Sequence, residues 1–299
     1  MTEITWGFPV VLDLFFAGMG AGSFCLAAIA SRREGQGWTA CFRMASLLAP
    51  LAVLVGLSML VTDLGYKSRF WRTMIGFNMK SPMSTGSYLL SAFFAVSIIF
   101  AIYGLPVDTR DRIPLLGRVS IWNRPQWKNR VGVIGTILAL GVSVYTGVLL
   151  SASVIPLWRS LSLPLLFFLS AVSTGFAGGA MLGMMSLART NPEAMEGPLQ
   201  FLKRSYRLIL PFYLLVSLAL VFSLAIFPST RVEAFGLTTG WSGLIWWVGA
   251  MGLGIIMPMV LVMRGKKLQV GEAWVLFGCL LGGGFLLRLV LIYAGQGAM

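Results

Sequence analysis

Eight long apolar stretches run through the chain, each close to the roughly 20 residues that a helix needs to cross the hydrocarbon core of a bilayer. They occupy residues 9–30, 43–64, 86–106, 131–152, 161–187, 206–227, 242–263 and 273–294. The connections are short and polar, apart from a basic one from Asp108 to Arg130 and another from Gly65 to Thr85. The pattern predicts an all-α integral membrane protein with eight transmembrane helices. The first stretch has no basic leader and seven more follow it, so it reads as a span and not as a cleaved signal peptide.

Composition sharpens this picture. Of the 299 residues, 57% are hydrophobic and only 11% charged, whereas a soluble domain carries about 25% charge. So little charge cannot cover a globular surface of this size, which excludes most soluble enzyme folds. The excess of 23 Lys and Arg over 10 Asp and Glu belongs to cytoplasmic loops in such a protein, not to a nucleic-acid partner. On alternate sides of the eight spans, sixteen Lys and Arg fall on one side and six on the other, with Arg288 inside the last span. That bias puts the sixteen in the cytoplasm and both termini outside, which in a bacterial inner membrane would be the periplasm.

Two absences bound the chemistry. Without histidine, the protein cannot build a bis-His haem, a His-ligated zinc or a Ser-His-Asp triad. Its three cysteines, Cys25, Cys41 and Cys279, are far apart, and an iron–sulfur cluster takes four clustered thiolates. The expectation is no haem and no metal in this chain. Redox chemistry would need a diffusible cofactor or a partner's metals.

An internal echo suggests two halves. Gly18-x-x-Ala21-Gly22 in the first span recurs 157 residues later as Gly175-x-x-Gly178-Gly179 in the fifth. An even number of spans per half gives parallel repeats, hence two four-helix bundles, residues 1–152 and 153–299. Gly18-Met19-Gly20-Ala21-Gly22 also resembles a dinucleotide loop faintly, but no strand precedes it, and small residues at this spacing let membrane helices approach closely.

Charge inside a span is the stronger functional signal, because it costs a few kcal/mol or more unless paired or hydrated. Asp13 lies within the first span, Asp63 closes the second, and Arg288 sits near the end of the eighth. On helical rise, Asp13, Arg288 and Tyr145 fall about 6, 9 and 10 Å below the outer interface. Structural pairing of Asp13 or Asp63 with Arg288 is one reading; a polar pocket opening outward is the other. A phenol or cation to hold a quinone carbonyl and a carboxylate to take a quinol proton is the inventory that proton-coupled quinone chemistry requires. Tyr213 with Ser170, Ser173 and Thr174 would extend a polar path inward, although such hydroxyls commonly bond their own backbone. The outer 65–85 loop mixes Lys67, Arg69, Trp71, Arg72 and Lys80. Aromatic and Arg enrichment marks protein interfaces, so it reads as a docking surface for an extramembrane partner, with interfacial anchoring as the competing reading.

These residues carry a family resemblance. Asp63-Leu64-Gly65, Arg69-Phe70 and Ser81-Pro82-Met83-Ser84-x-Gly86-Ser87 resemble the NrfD/polysulfide-reductase membrane subunit family. So do Tyr145-x-Gly147, Pro156-x-Trp158, Leu163-Pro164, Phe15-x-x-Gly18-x-x-Ala21-Gly22 and Gly283-Gly284-x-x-x-Arg288. The resemblance implies a haem-free, quinone-reactive subunit in the bacterial cytoplasmic (inner) membrane. Such a subunit exchanges electrons between menaquinone or ubiquinone and a four-cluster, ferredoxin-like iron–sulfur partner. That partner serves a catalytic subunit, often a molybdopterin enzyme. Some members place a histidine near the quinone, which this chain lacks; Asp13 or Tyr145 would then substitute. The expected site comprises Asp13, Asp63 and Tyr145 as reactive groups, with Gly18 and Arg288 lining the pocket. A secondary transporter or proton-conducting protein, and a purely structural anchor, are the alternatives from other classes.

Overall fold

The computed structural model describes residues 6–63, 82–106, 109–110, 112, 124–153, 155–188, 190–227, 230–265 and 267–297. Its elements are α1 (Phe8–Ala30), α2 (Gln36–Asp63), α3 (Pro82–Gly104), α4 (Pro125–Ser151), α5 (Ser162–Leu187), α6 (Glu196–Ile226), α7 (Arg231–Thr238), α8 (Gly240–Met263) and α9 (Val270–Gly295). All but the short α7 are long and apolar enough to cross a membrane. No strand occurs among the described residues. The chain is therefore an all-helical, multi-pass membrane protein.

Local sequence sets the helix ends. Pro125 opens α4, where its missing N–H costs nothing. A capping box between Gln269 and Glu272 satisfies the first turn of α9. Helices α2, α4 and α6 begin 6 to 10 residues before their apolar stretches, with polar turns that carry Arg43, Lys128 and Lys203. There the Lys128 ammonium donates to the Ser31 carbonyl and the buried Lys203 ammonium to the Arg264 carbonyl. Within α8, residues Ile245–Ile256 wind as a π-helix.

Two helices form the interior. The apolar windows of α1 and α5 are 78% and 72% buried, against 28–39% for α2, α3, α4, α6 and α8. Around them, α1 packs on α2, α4, α5 and α9, and α5 on α1, α2, α4, α6 and α9. The peripheral helices turn Leu51, Ile137, Leu208, Leu215, Phe222 and Val248 outward, a surface that lipid solvates at no cost.

Because lipid tails are as apolar as leucine, helix association inside a bilayer relies on close packing. Small residues supply it here. Gly22 of α1 meets the Ala171 carbonyl and Gly175 of α5, where any Cβ would overlap backbone. Gly254 of α8 and Gly283 of α9 make a second backbone contact of the same kind. One end of the molecule is latched by indoles and an amide. Gln296 Oε1 accepts from the Trp6 N–H at 2.7 Å, and its Nε2 donates to the Trp6 carbonyl at 3.1 Å. The Trp158 ring lies tilted against Trp6 with centroids 5.3 Å apart, and its Nε1–H donates to the Leu291 carbonyl. These contacts hold α9 against α1 beside a fully buried charge.

Candidate functional site

That charge is Arg288, fully buried on α9. Its Nε donates to the Leu14 carbonyl of α1 at 3.1 Å. Its Nη1 donates to Ser170 Oγ of α5 at 2.7 Å and to the Gly284 carbonyl at 2.9 Å. Nη2 is buried with no hydrogen-bond partner. Phe15 and Phe167 flank the guanidinium, with ring centroids 5.6 and 5.4 Å from Cζ, so ring faces contribute to holding the cation. Tyr213 of α6 joins through Ser170. Four helices thus converge on one guanidinium.

Glycine makes room for it. A Cβ on Gly18 would lie 2.6 Å from Nη2 and 3.3 Å from the Ala171 Cβ. Gly18 is therefore part of the arginine's seat, as well as a packing position between α1 and α5.

No carboxylate among the described residues neutralises this cation. Among the described residues one ion pair occurs, Lys267 with Glu196, at the exposed start of α6. There the Glu196 carboxylate raises the Lys267 ammonium above its ordinary value by hydrogen bonding and charge. Arg288 is held by carbonyl and hydroxyl dipoles and by ring faces.

Asp13 is 9% exposed. It does not reach the arginine although the two share a depth. It turns instead toward α2, where its Oδ1 lies against Gly56, a position with no Cβ to intervene. That oxygen is buried and without a hydrogen-bond partner. Buried carboxyl oxygens are normally paired, because desolvation without a compensating bond is expensive. An orphan of this kind marks a functional candidate.

Tyr145, half-buried on α4, lays its ring against Gly86 of α3, and its hydroxyl bonds the Gly86 backbone. The structure thus divides the sequence candidates into three seats. Arg288 and Gly18 come together between α1, α5 and α9; Asp13 faces α2; Tyr145 sits in the α3–α4 contact. Asp63 ends α2, and its side chain lies outside the described residues. So do Lys67, Arg69, Trp71, Arg72 and Lys80 of the loop. No group of three or more His, Cys, Asp or Glu gathers as a metal site among the described residues.

Sequence reading alone missed the Leu14 carbonyl, the Phe15 and Phe167 faces, and the glycine seats at 56 and 86. A backbone acceptor carries no sequence signal, and the seats depend on the register of one helix against another. Ser170 and Tyr213 were visible as polar residues in apolar spans, but not as partners of Arg288.

Fold and interior together define a class: a multi-pass helical membrane protein whose core holds an arginine on neutral dipoles and an unpartnered carboxyl. Comparison with known proteins gives the family. The model of the polysulphide reductase family, NrfD, matches residues 1–299, and the chain belongs to that family. It is 30% identical to a polysulfide reductase chain of Wolinella succinogenes, over 98% of this sequence and 95% of that one. It is 28% identical to protein NrfD of Escherichia coli, over 98% and 96%. With a selenate reductase subunit of Mesobacillus selenatarsenatis it shares 25% identity, over 90% of this sequence and 69% of the relative.

Proposed function

We propose that this chain is the quinol-reactive membrane subunit of a bacterial respiratory oxidoreductase. It takes electrons from menaquinol or ubiquinol and passes them to a docked four-cluster iron–sulfur subunit, and through it to a catalytic subunit, in the manner of a molybdopterin enzyme. The relatives named as parts of polysulfide and selenate reductases support a role inside such a complex. The observation that carries the reading is Asp13 Oδ1, a buried acceptor with no partner in a membrane interior.

On this reading Asp13, Tyr145 and Arg288, which the structure seats separately, are the groups that would meet a quinol headgroup. Bound there, a quinol supplies two electrons and two protons. Asp13 accepts a proton at Oδ1 and releases it at the nearby outer interface, with Asp63 as the second acidic group on that route. Tyr145 offers its hydroxyl to a headgroup oxygen. Arg288, fixed by Leu14, Ser170 and Gly284, keeps a positive potential in the pocket wall and leaves Nη2 free for a further acceptor. Lys67, Arg69, Trp71, Arg72 and Lys80 form the docking face for the iron–sulfur partner. Both termini then face the periplasm, the complex sits in the cytoplasmic membrane, and residues 1–152 and 153–299 are its two four-helix halves.

Purification of the tagged protein in mild detergent, with identification of co-purifying subunits and assay of extracted quinone, tests this directly. An iron–sulfur protein together with menaquinone or ubiquinone is the expected result. A partnerless protein with no quinone would send the assignment to the transporter reading.

A further inference from the structure

A groove of about 600 Å³ opens at the other end of the spans, between the first turns of α2 and the C-terminal end of α5. Gln36, Thr39, Arg43 and Met44 line one wall; Thr190 and Asn191 belong to the other. Among the described residues no acidic one lines it. Most of its polar groups are already satisfied. Asn191 Nδ2 donates to Gln36 Oε1 at 3.1 Å, Thr39 Oγ1 to the Gly35 carbonyl at 3.1 Å, and Ser186 Oγ to the Gly183 carbonyl at 2.7 Å. Arg43 differs: its Nε is buried without a hydrogen-bond partner.

Arg43 also stands at the boundary where the apolar part of α2 begins, on the end of the molecule that carries sixteen of the Lys and Arg. Leu47, Leu51 and Leu54 follow it at i+4, i+8 and i+11, which is one face of a helix. Leu51 and Leu54 are 57% and 51% exposed. A cation with an unspent donor, set at the interface above an outward apolar stripe, matches an amphiphile with an anionic head and an acyl tail.

We propose that this groove binds an anionic glycerophospholipid, the phosphodiester held by the Arg43 guanidinium and one acyl chain lying along Leu47, Leu51 and Leu54. Basic pockets between transmembrane helices at the cytoplasmic face are a general solution for such headgroups. The guanidinium offers a planar pair of donors to two phosphate oxygens. Met44 covers the junction of head and tail. The site is separate from the quinol pocket, which lies toward the opposite end of α1 and α2, and does not depend on the redox assignment.

The test uses the delipidated full-length protein in neutral detergent, titrated with phosphatidylglycerol while thermal unfolding is followed. Phosphatidylglycerol should raise Tm saturably, whereas diacylglycerol and millimolar inorganic phosphate should not. Arg43→Gln should weaken the apparent lipid affinity about tenfold, as expected for loss of one charge-assisted hydrogen bond. Arg130→Gln, which removes a charge elsewhere on the same end, should change it less than about twofold, as expected for an exposed charge screened by salt. Leu51→Asn, a substitution on the lipid-facing surface, tests the tail independently and should also weaken binding. Equal stabilisation of wild type and Arg43→Gln would overturn the proposal. So would stabilisation by inorganic phosphate alone, which would mark a free-anion site, or by diacylglycerol, which would mark an unspecific tail contact.

Discussion

Arg288 shows how one residue can organise several helices. A buried guanidinium has five N–H donors in a rigid fork, and three of the groups it meets are the Leu14 carbonyl, the Ser170 hydroxyl and the Gly284 carbonyl. Gly18 is the matching small residue. An alanine there would bring its Cβ to 2.6 Å from Nη2, a strain of about 1–3 kcal/mol that exceeds the roughly 1 kcal/mol of helix propensity regained. Gly18→Ala should therefore lower Tm in detergent and slow quinol oxidation by the assembled complex. In an Arg288→Lys background the same change should cost less, since the displaced group is gone and contacting residues couple. Additive losses in that double variant would separate Gly18 from the arginine. At Tyr145 the expectation is a different one. Tyr145→Phe should raise the quinol KM or lower turnover with complex assembly intact, and unchanged steady-state quinol kinetics would remove the phenol from the site. The charges themselves were legible in the sequence because an ionised group inside an apolar run is conspicuous. Their partners were not: depth along the membrane follows from counting residues, whereas the direction a side chain takes depends on rotation about the helix axis. Asp13 and Arg288 share a level, yet Asp13 faces Gly56 on α2 while Arg288 bonds the backbone of the next residue, Leu14.

At the scale of elements, the eight spans follow from hydropathy, but hydropathy sees the membrane and not the helix. Where α2, α4 and α6 extend into polar, basic turns, the apolar pattern starts late; α7, with Val232 and Phe235 exposed and Ala234 and Leu237 buried, is too short to register as a span. Packing between elements is likewise invisible until two helices are brought together, and α9 offers a controlled comparison. A Cβ on Gly283 would run into the Gly254 backbone of α8, which cannot step aside, whereas a Cβ on Gly278 meets nothing within 4 Å. Gly283→Ala should destabilise the protein by about 1–3 kcal/mol, the usual cost of overpacking. Gly278→Ala should be neutral or stabilising by up to about 1 kcal/mol, from helix propensity. Thermal unfolding of the two variants in the same detergent measures the difference, and equal Tm values would show that the α8–α9 contact is not a tight constraint.

For the whole molecule, the decisive quantity is the direction in which it crosses the membrane, because under the proposed function that would fix where protons are released and which compartment the partner subunits occupy. The charge asymmetry of sixteen against six argues for both termini outside, and it does so through many weak contributions from several connections. Single-cysteine labelling tests it without perturbing the interior, since the native Cys25, Cys41 and Cys279 are all buried. Leu161, between α4 and α5, is 96% exposed, and Glu34, between α1 and α2, is exposed at the opposite end. In intact spheroplasts a membrane-impermeant maleimide should label Leu161→Cys and spare Glu34→Cys until the membrane is permeabilised. The reverse pattern would place Asp13, Tyr145 and Arg288 toward the cytoplasm. Quinol protons would then return to the side they came from, and the basic 65–85 loop would have to receive its partner there. Labelling of Leu161→Cys from outside instead puts Asp13 and Tyr145 toward the periplasm, where the proposed oxidation of quinol would release its protons outward.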